Sequence, residues 1–123
     1  MNRREISRSE WPEFVESFTG AHEGWLVGVD RFEEMMDEEV MRTHHDGALR
    51  GIQVKPTEAA IELAVDDRNT GHLATETISA PQRIVLEQAD EHVDTALEIE
   101  GPQSCLILRF RSPTRTDMVD GAP

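Results

Sequence analysis

Residues 58–111, EAAIELAVDDRNTGHLATETISAPQRIVLEQADEHVDTALEIEGPQSCLILRFR, alternate apolar and polar side chains over most of their length. Ile61, Leu63 and Val65 are out of phase with Glu62, Ala64 and Asp66. The same holds for Ile84 and Leu86 against Val85 and Glu87, and for Leu97 and Ile99 against Glu98 and Glu100. Leu106, Leu108 and Phe110 alternate with Ile107, Arg109 and Arg111. Successive side chains of a strand point to opposite faces, so this period of two marks antiparallel sheet with one face in the core and one in water. The interruptions have turn chemistry: Asp66 to Gly71 is polar and tolerant of left-handed backbone, and Ala80-Pro81 and Gly101-Pro102-Gln103 follow. Strands are expected over His72–Ser79, Arg83–Gln88, Ala96–Glu100 and Cys105–Arg111, with Ala89–Thr95 an acidic loop.

Upstream the period changes. Trp11, Phe14, Val15 and Phe18 fall at i, i+3, i+4 and i+7, the spacing of one helix face. Ser9 is placed to cap that helix, Pro12 falls in its first turn, and Gly20 is the expected stop. Packing on the sheet is the expected use of the stripe. Trp25, Val27 and Val29 then open a strand, and residues 33–43 fit a helix or a strand entered through a turn at Met36-Asp37. Asp46-Gly47 is expected to be a turn before a short strand over Leu49–Lys55 that Pro56 ends.

Composition excludes several classes of function. Twenty-five acidic residues against 12 basic ones give a net charge of −13, which repels nucleic acid. Such a surface suits solubility, including at high ionic strength. The apolar runs fall far short of the ~20 residues of a membrane span, and the N-terminus has no signal-peptide core, so a cytoplasmic protein with no membrane contact is expected. Cys105 is the one cysteine and lies within an apolar strand, the setting of an inert thiol rather than a nucleophile.

No phosphate-loop, dinucleotide, nucleophile-elbow or C-x-x-C signature occurs, and no catalytic residue is assigned. His44, His45 and Asp46 are the one weak candidate for a metal. Neighbours on a strand face opposite ways, so they could share an ion only from an irregular loop, and neither a metal nor a cofactor is expected. Arg109 and Arg111 reverse the acidic sign on the last strand. With His72 they are the candidate ligand-binding residues for a carboxylate or phosphate, pairing with Glu98 and Glu100 being the competing use.

RREISRSEWPEF at Arg3–Phe14, HEGWLV at His22–Val27, LRGI at Leu49–Ile52, and ALEIE at Ala96–Glu100 with RFRSP at Arg109–Pro113 together resemble a bacterial family of small proteins, domain of unknown function 5335. The similarity covers nearly the whole chain. It implies a single domain of bacterial origin with a short extended segment before Leu49, and it brings no activity, cofactor or catalytic residue. Met35–Gly47 departs most from the pattern, being richer in methionine and histidine.

The expected fold is therefore α+β: an N-terminal amphipathic helix packed on a curved, mostly antiparallel sheet of about seven strands, a roll or partial barrel. Residues 1–111 form one domain and 112–123 a flexible C-terminal tail. The expected core is Trp11, Phe14, Phe18, Trp25, Val27, Ile61, Leu63, Val65, Leu86, Leu97, Ile99, Leu106, Leu108 and Phe110. The function expected is that of a small acidic, non-enzymatic protein that binds a protein partner or self-associates, for example through a strand edge as a homodimer. A ligand-binding or enzymatic roll with a pocket near the last strand is the alternative.

Overall fold

A computed structural model of the chain describes residues 2–90 and 93–111; the expected tail at 112–123 lies outside them. The strands are β1 (Asn2–Ile6), β2 (Leu26–Met35), β3 (Glu38–Lys55), β4 (Ala60–Asp67), β5 (Leu73–Ser79), β6 (Arg83–Asp90), β7 (Val93–Glu100) and β8 (Ser104–Phe110), with one α-helix, α1 (Trp11–His22), between β1 and β2. They form a single eight-stranded sheet in the order β1-β6-β7-β8-β2-β3-β4-β5, every neighbouring pair antiparallel. The sheet is not closed, and β1 and β5 are its free edges. No helix among the described residues is long and apolar enough to cross a membrane.

The strand beyond the expected count of about seven is β1, which pairs Asn2–Ile6 with Ile84–Gln88 of β6. Its first four residues are exposed and polar, so it carries no alternation to read. Backbone pairing holds it, together with burial of Ile6 and ion pairs from Arg3 to Glu87 and, at 2.8 Å, to Glu98.

The larger correction concerns β3. Asp46-Gly47 is not a turn: 18 residues run as one strand from Glu38 to Lys55, through the histidines as well. The reversal is at Met36-Asp37, where φ is +51° and +65°, the left-handed pair of a tight two-residue hairpin. Register shifts beside Arg31/Phe32 and between Leu49 and Gly51 break the ladder twice, and such bulges bend a long strand. β6 and β7 likewise extend to Asp90 and back from Val93, replacing most of the expected acidic loop.

The helix keeps its predicted face and changes both ends. Ser9 lies inside a 3₁₀ turn over Arg8–Glu10, and Glu10 holds the cap position without a side-chain cap bond. The helix passes through Gly20 to His22, because one more turn places His22 four residues after Phe18 on the buried face; Gly24, at φ +89°, takes the left-handed conformation instead. Trp11 Nε1 donates to the Ile6 carbonyl at 3.0 Å, tying the helix start to β1. Since Ser9 caps nothing, Ser9→Ala is expected to move unfolding free energy by less than about 0.5 kcal/mol, against ~1 kcal/mol for a working cap, as read by urea denaturation.

The core lies between the helix and one sheet face. Twelve of the fourteen expected residues are buried, while Phe14 and Trp25 are partly buried and pack against the cluster. Ile6, Val15, Val29, Leu49, Ile52, Ile78 and Ile84 complete it. Arg31 on β2 bonds the Thr77 carbonyl on β5 at 2.8 Å, although those strands are three places apart in the sheet. A flat sheet would separate them by roughly 14 Å, so the sheet must bend over the core to bring them together.

Candidate functional site

His72, Arg109 and Arg111 are not brought together. His72 is exposed ahead of β5, where its carbonyl accepts from the Asp67 amide at 3.0 Å. Arg109 and Arg111 are exposed on the other side of β2, β3 and β4, a path along the sheet of roughly 19 Å. The expected pairing with Glu98 and Glu100 is also replaced. Arg109 stands opposite Gly28 and Ala96, whereas Glu98 and Glu100 pair with Arg3 at 2.8 Å and Arg83 at 3.8 Å. Arg111 Nε meets Asp46 Oδ1 at 2.7 Å.

The strand continuity of β3 decides the fate of His44, His45 and Asp46. His44 pairs with Asp30 and Asp46 with Arg111 on the outer face, while His45 points inward. The three do not converge: His44 and Asp46 lie on the outer face, each paired with a different residue, and His45 lies on the inner one.

Inside, His45 belongs to a polar network that sequence reading missed. Its Nδ1 is 2.9 Å from Asp67 Oδ2 and its Nε2 is 2.8 Å from Glu76 Oε2, joining β3 to β4 and β5. Thr43 Oγ1 donates to the same Glu76 oxygen at 2.9 Å. Arg31 reaches Glu76 Oε1 and Ser104 Oγ, each at 3.3 Å, besides the Thr77 carbonyl. The Asn69 amide donates to Asp67 Oδ1 at 2.8 Å.

Burial opposes the charged imidazole, but hydrogen bonds to Asp67 and Glu76 outweigh it and raise the His45 pKa above 6.5. The His45 bond, then the Asn69 amide, hold the Asp67 carboxyl below 3.8. Both ring nitrogens of His45 are held by carboxylates, at 2.9 and 2.8 Å, so neither is open to a substrate or an ion, and each network member is occupied by another. The arrangement works as a clamp on β5. One signal does exist in the sequence: Arg31, Asp67 and Glu76 stand in step with Val27/Val29, Ile61/Leu63/Val65 and Ala74/Ile78, polar groups in the apolar phase of their strands.

Two further groups are equally committed. The buried His22 ring lies 4.4 Å from Phe18 and 4.7 Å from both Trp25 and Phe110, with Nδ1 2.8 Å from the Phe18 carbonyl and Nε2 3.2 Å from Asp94 Oδ2. His22 lowers the Asp94 pKa against the effect of burial. The Cys105 thiol is pushed up to about 12, by burial and then by the carboxylates of Glu98, Glu100 and Glu39, so it is not a nucleophile at neutral pH.

The end of the β2–β3 hairpin has fewer neighbouring strands than the rest of the sheet. β8 accompanies β2 only as far as Glu33, and β4 accompanies β3 only from Gly47 onward, so the hairpin end continues as a two-stranded arm. Met36 at its tip is 96% exposed and Met35 and Met41 are 47% and 51% exposed, with Val40 also exposed. At the root of the arm, on the outer face, lies a groove of about 300 Å³. Phe32, Cys105 and Ile107 form its apolar part, and Glu34, Glu39, Glu98 and Glu100 its acidic part. Comparison with family models, with curated proteins and with solved structures finds no match to the chain.

Proposed function

We propose that the chain is a non-enzymatic binding module that engages a protein through the β2–β3 arm. The observation that carries this reading is the exposure of Met35, Met36, Val40 and Met41 on one projecting hairpin, Met36 at its tip, Met35 and Val40 on one face and Met41 on the other. Large apolar side chains left in water at the end of a hairpin mark an interaction site, and flexible, polarisable methionine is common in surfaces that adapt to a partner. The chemistry-bearing groups support it from the other side: His45, Glu76, Asp67 and His22 are each bound to another part of the fold.

The test is a photo-crosslinking amino acid placed at Met36 of the full chain in living cells, with the same probe at Gln53 as the control. Adducts of defined mass should form from position 36 and not from 53. An adduct of twice the chain mass identifies self-association, and any other discrete mass a separate partner. Equal labelling from both positions, or none from position 36, overturns the reading.

A further inference from the structure

The groove at the root of the arm has an electrostatic defect. Glu34 and Glu39 stand directly opposite each other in the β2–β3 register, and like charges in that position destabilise a strand pair. Neither has an ion-pair partner among the described residues. Around them Glu33, Asp37 and Glu38 add to the negative charge, while Arg42 and Arg31 are directed at Glu33, at 3.5 and 4.0 Å. Beside them lies apolar surface from Phe32, its cross-strand partner Met41, and Ile107.

Acidic groups beside an apolar floor match a side chain with an apolar stem and a cationic head. Phe32 adds a ring face that favours a cation. A second copy of the chain fits poorly: it would bring another −13 of charge, and its own arm would set carboxylates against carboxylates.

We infer that Glu34, Glu39 and the Phe32–Ile107 floor receive an arginine or lysine side chain from a basic partner protein, in a segment where cationic and apolar residues alternate. This deepens the reading of the arm as a docking surface and rests on it. Bringing a cation to the Glu34–Glu39 pair removes the repulsion that the free chain carries, so part of the binding energy comes from relief of a strained charge arrangement.

The probe is a synthetic peptide of alternating arginine and leucine, titrated into the full chain by calorimetry and followed through backbone amide shifts. Shifts should be confined to 32–41 and 98–107, and binding should weaken with salt. The double variant Glu34→Gln/Glu39→Gln should lose about tenfold or more in affinity while melting at the same or a higher temperature. Glu62→Gln/Asp66→Asn, on the outer face of β4, should change affinity by roughly twofold at most.

Equal losses from both double variants, shifts spread over the whole acidic surface, displacement of the peptide by lower concentrations of spermine, or no binding would each overturn the inference. So would a lower melting temperature of the Glu34/Glu39 variant, which would make that pair structural. If Met36 crosslinks a partner while the Glu34/Glu39 variant binds peptide normally, only the groove is refuted. If Met36 yields no adduct, the docking reading itself fails.

Discussion

Gly47→Ala is expected to lose on the order of 3 kcal/mol or more of stability, or to fail to fold. A Cβ at this position would stand 1.7 Å from the Asp66 carbonyl oxygen and 2.7 Å from its carbon. Both atoms are backbone, so no rotamer change relieves the overlap and β4 must move away. That movement breaks the pairing of Gly47 with Asp67 and the 2.8 Å bond from the Arg68 amide to the Asp46 carbonyl, and it takes Asp67 out of reach of His45. The requirement for glycine here is one of space, since Gly47 is not among the residues with positive φ. Gly51, four residues along the same strand, is the control. A Cβ there meets nothing within 4 Å, so Gly51→Ala should be neutral or stabilising by about 0.5 kcal/mol. Urea denaturation of the two variants checks both expectations. A Gly47→Ala chain within about 1 kcal/mol of the parent would refute the close approach of β3 and β4.

His45→Gln is expected to cost about 2 kcal/mol near pH 6, with the deficit shrinking as pH rises. The folded-state pKa of His45 lies above its ordinary 6.5, so its stabilising effect is fully present below 6.5 and is lost as pH rises through the folded value. Asp67 acts at the other end. Its folded pKa lies below 3.8, so its contribution is present above 3.8 and is lost as pH falls through the lowered value. Between these limits the His45 imidazolium and the Asp67 carboxylate are both charged, and the clamp on β5 is complete. Glutamine keeps one donor and removes the charge. Denaturant titrations of the parent and the variant across pH 5 to 9 should converge toward the alkaline end. A deficit that stays constant with pH would show that His45 contributes shape and hydrogen bonding without charge.

Much of the frame was legible locally. The run at Ile61, Leu63 and Val65 needs only consecutive residues to show its period, and all three are buried. Trp11, Val15 and Phe18 show their helical face in the same way, and Met36-Asp37 fits the turn at which β2 reverses into β3. β1 was not legible, because its exposed side chains follow no period and its pairing is made by backbone. Asp46-Gly47 misled for a related reason. A dipeptide that fits a turn also fits a strand crossing that needs an outward carboxylate beside a missing side chain, and only Arg111 and Asp66 reveal which applies. Of the residues proposed for a site, His72 and Arg109/Arg111 share a plausible chemistry and no location.

Sequence alone determined the class of this protein: an antiparallel sheet with one wet face, an amphipathic helix to cover the other, and a strongly acidic surface. Each of these follows from the spacing or number of side chains along the chain. Tertiary structure decided what the polar residues do. His45 meets Asp67 and Glu76 across 22 and 31 residues of chain, while Glu34 and Glu39 are set face to face by a turn whose dihedrals fix their register. Hydrogen bonds and charge repulsion act over a few ångströms of space. A period along the sequence therefore reports which face a carboxylate occupies, and only the fold reports whether a cation or another carboxylate waits there.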